Sequence, residues 1–115
     1  MSGLNHVALT VSDRERSAAF YAEHFGFRDR VHEDDHLLIL SDSSGGLLAL
    51  SPGDPPTPLP RANHFGILVE DSAEVHDARA RFAAAGLEET EWQEAGPVRV
   101  QVLDPDGYRV EVYAY

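Results

Sequence analysis

Asn5-His6-Val7-Ala8-Leu9-Thr10-Val11-Ser12-Asp13 and Asn63-His64-Phe65-Gly66-Ile67-Leu68-Val69-Glu70-Asp71 share one layout, 58 residues apart. Both open on Asn-His, alternate between two faces and end on Asp. A period of two is the mark of a strand. Val7, Leu9 and Val11 share one face with His6, Ala8 and Thr10 on the other, and the second copy keeps the parity, with Phe65, Ile67 and Val69 opposite His64, Gly66 and Leu68. A repeat at fixed offset is read first because missing it misassigns the whole fold.

Working outward, each copy is followed by a helical stretch that stops at glycine, in Phe25-Gly26-Phe27 and in Ala85-Gly86-Leu87. Ser12 or Asp13 is placed to cap the first helix, and Asp71 or Ser72 the second. Ala18, Tyr21 and Phe25 form one apolar stripe, and Val75, Ala78, Phe82 and Ala85 the other; these are core positions. Beyond the helices, residues 36–40 and 46–50 read as strands around the turn 41–45, and residues 91–94, 98–103 and 109–113 are their counterparts. Asp104-Pro105-Asp106-Gly107 is the turn between the last two. Pro52-Gly53-Asp54-Pro55-Pro56-Thr57-Pro58-Leu59-Pro60 is too rich in proline for a central strand. The expected fold is α+β: two tandem βαβββ modules, residues 1–52 and 62–115, joined by the Pro-rich linker 53–61. One copy cannot bury its own sheet, so the two are expected to share a curved mixed sheet, a cup with the helices outside.

Composition bounds the function. A chain of 115 residues is one domain in size and buries roughly two-thirds of its unfolded surface. With no cysteine, disulfides and thiolate metal sites are excluded, and any metal must use nitrogen and oxygen donors. No stretch approaches the ~20 apolar residues of a membrane span, and Met1-Ser2-Gly3-Leu4-Asn5-His6 lacks a basic-then-apolar leader, so a soluble, unprocessed, cytoplasmic protein is expected. Nine basic against twenty acidic residues give a net charge of −11, which repels nucleic acid and anionic lipid.

Parity also places the candidate site. Val110 and Val112 take the helix-facing side of their strand, leaving Arg109, Glu111 and Tyr113 toward the cup. Val98, Val100 and Val102 do the same for theirs, leaving Arg99 and Gln101. By the same argument His6 and His64 face inward. Two imidazoles and a carboxylate suit a divalent ion with open positions for substrate, so His6, His64 and Glu111 are the expected metal ligands. Singly, each is equally a hydrogen-bonded polar residue at a strand end; the repetition of Asn-His favours the ligand role. Tyr113 and Arg109 are the candidate catalytic groups, with Gln101, Arg99 and Trp92 as substrate-lining residues. For Trp92 two places stay open: a stacking wall on the cup rim, or simple packing. His24 and His76 belong to helix surfaces, and His32 and His36 to an acidic turn, Glu33-Asp34-Asp35.

The Asn-His openings, Ala19-Phe20-Tyr21 with Phe25-Gly26-Phe27, and Asp104-Pro105-Asp106-Gly107-Tyr108-Arg109-Val110-Glu111-Val112 resemble the glyoxalase, bleomycin-resistance and extradiol-dioxygenase superfamily over nearly the whole chain. The resemblance implies one divalent ion, Fe(II), Mn(II), Zn(II) or Ni(II), held by His6, His64 and Glu111. It also implies a small-molecule substrate that chelates the ion through oxygens, lyase or dioxygenase chemistry, and a homodimer, with the cup formed within one chain or by modules exchanged between two. A second carboxylate of the glyoxalase site is replaced by Ala49, or by Leu50 if the register slips by one. The fosfomycin-resistance members carry a potassium-binding loop where Glu94-Ala95-Gly96-Pro97 is a short turn, so a phosphonate is not expected. The rival function is a metal-free binder of a drug or metabolite, as bleomycin-resistance proteins are.

Overall fold

The alternation found in the sequence becomes two four-stranded sheets, each with one helix. The computed structural model describes all residues, Met1–Tyr115. The elements run β1 (His6–Val11), α1 (Arg14–Phe25), β2 (Asp29–Glu33), β3 (Leu38–Ser41), β4 (Leu47–Pro52), β5 (Phe65–Leu68), α2 (Ser72–Ala84), β6 (Glu89–Gln93), β7 (Val98–Leu103) and β8 (Arg109–Ala114). This is the α+β order βαβββ, twice. The strands are ordered β1-β4-β3-β2 in the first sheet and β5-β8-β7-β6 in the second. In each module the first strand pairs parallel with the last, and the other pairs are antiparallel. The chain divides into two compact units, Met1–Pro56 and Thr57–Tyr115.

In the first unit α1 packs on β4, with Ala18 and Tyr21 against a core that holds Val11, Leu38, Leu40, Leu48 and Leu50. Asp13 is the N-cap, its carboxylate accepting from the Arg16 amide at 3.1 Å, and Gly26 ends the helix in the left-handed conformation. β2 has no counterpart among the strands read from sequence: all five of its residues are exposed, so it shows no alternation.

In the second unit α2 lies on β7 and β8, and Val75, Ala78 and Phe82 meet Val100, Val102, Val110 and Val112. Asp71 caps α2 by accepting from the Glu74 amide at 3.0 Å. Ala85, expected on the buried stripe, is instead the exposed C-cap, because the helix stops one residue before it.

The β7–β8 turn is built on Asp104, which is only 6% exposed. Its Oδ1 accepts from the amides of Asp106 and Tyr108, both at 2.9 Å. The Gly107 amide closes on the Asp104 carbonyl at 3.1 Å, with φ +91° at Gly107. This turn fixes the register that sets Gln101 opposite Glu111 and Arg99 opposite Tyr113. The last part of the Pro-rich segment is tied to the same unit. Thr57 Oγ1 donates to the Asp106 carbonyl at 2.6 Å, and Arg109 Nη1 donates to the carbonyls of Leu59 and Pro60 at 3.2 and 3.4 Å.

Asp104→Ala deletes two acceptor contacts of a buried carboxylate and is expected to cost about 2–4 kcal/mol, against about 1 kcal/mol for the exposed cap change Asp71→Ala. Urea unfolding followed by circular dichroism reads both; equal costs would refute the turn's special weight.

Candidate functional site

Strand parity in the second unit gathers polar side chains on the face away from α2. β8 contributes Glu111 and Tyr113, β7 contributes Arg99 and Gln101, and β6 contributes Glu91 and Gln93, which pair with Gln101 and Arg99 respectively. Glu111 is 7% exposed and flanked in sequence by buried Val110 and Val112, so its charge must be compensated. Arg99 does part of this: Nη1 donates to Glu111 Oε1 at 2.8 Å, while Nη2 donates to Glu91 Oε1 at 3.1 Å and Nε to Gln93 Oε1 at 3.3 Å. The hydrogen bond from Arg99 holds the Glu91 carboxyl below its ordinary pKa. The same bond, followed by that to Glu111, raises the guanidinium further.

The other carboxylate oxygen, Glu111 Oε2, faces His64 Nε2 at 3.7 Å. That is too long for a hydrogen bond. His64 Nδ1 lies 2.9 Å from the Ala62 carbonyl, which can only accept, so Nδ1 carries the proton and donates. In the neutral ring Nε2 is therefore a lone pair aimed at a carboxylate oxygen. Two such donors attract one another only through a cation between them, either a proton on the imidazole or a metal ion. Ligands at about 2.0–2.2 Å from one ion stand at most ~4.4 Å apart, so the pair fits a divalent metal. The Ala62 carbonyl is the kind of partner that orients a metal-binding imidazole.

Two adjoining depressions, of about 360 and 500 Å³, open on this pair, and His64, Arg99 and Glu111 line both. Tyr113 and Tyr115 wall the first, Arg61 and Glu91 the second. Gly66 pairs with Glu111 across β5 and β8. A Cβ there would stand 3.1 Å from the Tyr113 ring and 3.5 Å from Glu111 Oε2, so a larger residue must push the Tyr113 ring back by a few tenths of an ångström. Sequence reading put Gly66 on the His64 face but gave it no role; Ala8 stands at the matching place in the first copy.

The remaining candidates are dispersed. Gln101 is fully buried and takes a hydrogen bond on Oε1 from Thr90 Oγ1 at 2.9 Å, while its Nε2 has no partner. Arg109, expected to be catalytic, turns its guanidinium to the Leu59 and Pro60 carbonyls and lines neither depression. Trp92 pairs with Val100 and so takes the helix-facing side, under the Arg79 guanidinium at 4.1 Å and beside His76 at 5.1 Å. A register shift between Glu89 and Glu91 sets this parity, and Trp92 lines neither depression. In the first unit His6 is exposed, with Nδ1 3.3 Å from Asn5 Oδ1. There Ala8 pairs with Ala49 as Gly66 pairs with Glu111, so Ala49, not the buried Leu50, stands where Glu111 has its counterpart.

His24 is more covered than its helix-surface placement implies, with a side chain 10% exposed and its ring 5.0 Å from Phe20. His32 and His36 lock a turn on Asp34: the His36 amide and then the His32 ring hold its carboxyl down to about 2. No group of three or more His, Asp or Glu side chains is arranged to hold a metal; the second unit assembles a pair.

Comparison with known proteins agrees with this architecture. The chain is 29% identical over 116 residues to a catechol-2,3-dioxygenase of Bacillus subtilis (strain 168), covering 96% of this chain and 41% of the relative. It thus spans about two-fifths of the length of that curated relative. The fold matches the fosfomycin resistance protein FosX of Listeria monocytogenes, solved with Mn(II) and sulfate, at a TM-score of 0.83 and 22% identity over 99% of this chain and 90% of that one. It also matches a lactoylglutathione lyase of Agrobacterium tumefaciens at a TM-score of 0.78 and 24% identity, over 99% and 94% of the two chains. A family model matches residues 3–112, and with that match the chain belongs to the Glyoxalase/Bleomycin resistance protein/Dioxygenase superfamily.

Proposed function

We propose that this chain binds one divalent metal ion through His64 and Glu111 and acts as a lyase or dioxygenase on a small substrate that chelates the ion through oxygens. The observation that carries the reading is the facing of His64 Nε2 and Glu111 Oε2 at 3.7 Å, with the imidazole proton committed to the Ala62 carbonyl. The Asn-His repeat is the ground for expecting a further donor in His6. The ion is Fe(II), Mn(II), Zn(II) or Ni(II), all of which accept imidazole and carboxylate donors. Held by these residues, the ion would supply a Lewis acid to the adjacent oxygens of a substrate. The protein's own groups then orient the substrate: Arg99, which lines both depressions, offers its remaining guanidinium hydrogens, and Tyr113, beside Tyr115, a hydroxyl at the wall of one. Arg109 serves the same site indirectly, by clamping the segment ahead of His64.

A second reading, a metal-free binder of a small molecule, is favoured by one contact. Arg99 already neutralises Glu111 at 2.8 Å, which a structural carboxylate would also want. Metal content of protein purified without an affinity tag separates the two.

Titration with Mn(II) by calorimetry should give one site per chain, weakened at least about 100-fold in His64→Ala and in Glu111→Ala, with circular dichroism unchanged. Tight binding retained in both variants ends the metal assignment.

Turnover follows from the same reading. Protein loaded anaerobically with Fe(II) is expected to open a catechol ring to yellow products on admitting oxygen, or to convert the methylglyoxal–glutathione adduct, and to lose either activity in His64→Ala. Silence in both assays together with absent metal would favour the binder. A homodimer is also expected, since each sheet ends in strands paired on one side only within it; light scattering showing monomer at micromolar concentration would refute it.

A further inference from the structure

We propose that Arg99 is a resident counter-cation on Glu111 that an incoming divalent metal must displace, so that the charge of Arg99 sets the metal affinity of the site; this rests on the metal reading above. Arg99 sits on β7 between its two neighbouring strands, reaching Glu111 on β8 at 2.8 Å and Glu91 and Gln93 on β6 at 3.1 and 3.3 Å. Its side chain is 25% exposed and that of Glu111 9%, so water screens their attraction only in part. A guanidinium does not shed its proton in a protein, so it stays a full positive charge beside any ion that takes Glu111 Oε2. It must then repel that ion or swing away.

The surroundings supply a second arrangement. Glu91 and Gln93 already hold two of the three engaged guanidinium nitrogens, so losing Glu111 leaves Arg99 anchored. Across the strand pair from Glu111 stands Gln101, fully buried, with an Nε2 that has no acceptor. An orphan buried donor asks for an explanation. A Glu111 released from Arg99 supplies one, because its Oε1 then lacks the donor that Gln101 carries. The site thus has two occupancies, a closed one with the internal cation on Glu111 and an open one with a divalent ion there.

The test is Mn(II) alone, titrated by calorimetry into the full chain and three variants. Arg99→Gln should bind at least about tenfold more tightly than the unmodified protein, because a like charge within a few ångströms is gone. Glu91→Gln keeps the guanidinium but leaves Glu111 as its only carboxylate, and should bind at least about threefold more weakly; this variant decides the matter if Arg99→Gln does not fold. His64→Ala controls for the site. If Mn(II) binding depends on His64 but Arg99→Gln is no tighter, or Glu91→Gln no weaker, the counter-cation role is wrong and the metal reading stands. If neither the unmodified protein nor Arg99→Gln binds Mn(II), the metal reading falls and takes this proposal with it. A gain of affinity on removing Arg99 is an outcome that a merely structural arginine would not produce.

Discussion

The burial of one carboxylate organises the second module. Glu111 lies between two core valines on a strand covered by a helix, and a charge there is tolerated only with partners on every exposed lone pair. Arg99 meets one oxygen and His64 stands before the other. The surrounding choices serve that arrangement. The Asp104 turn sets the register that lines up β7 with β8, Gly66 leaves room above the carboxylate, and Arg109 pins the segment that delivers His64.

The two copies of the repeat share a scaffold and differ in the site. They keep the same strand order and pairing directions, since these come from apolar parity and cannot change without unfolding the sheet. They differ where chemistry is concerned: Ala8 and Ala49 occupy the places of Gly66 and Glu111, and a methyl group facing a methyl group holds no ion. Both halves carry the same scaffold and only one carries the buried acid, so fold and site answer to separate demands.

How much of this could be read from sequence follows from what each feature rests on. Val98, Val100 and Val102, with Val110 and Val112, leave a single face for their neighbours, so Arg99, Gln101, Glu111 and Tyr113 could be grouped without a structure. Asn-His twice over singled out His64. What escaped has no period. β2 is exposed at every residue, and the shift between Glu89 and Glu91 that turns Trp92 toward α2 depends on pairing, not composition. The partners of Arg109 and of His64 Nδ1 are backbone carbonyls, which every residue carries and no pattern of side chains announces. Arg99 was placed on the right face, but its engagement with three acceptors at once is a property of three adjacent strands.

Trp92 gains a different use from the face it occupies. It is the only tryptophan in the chain, it lies under the Arg79 guanidinium and beside the His76 ring, and it lines neither depression at Glu111. Its indole is therefore an optical gauge of the contact between α2 and the sheet. Excited at its own wavelength, the indole reads the helix contact from the face of the sheet opposite the carboxylate. The parity of a single residue on β6 thus sets the indole at the helix contact and keeps it out of both depressions.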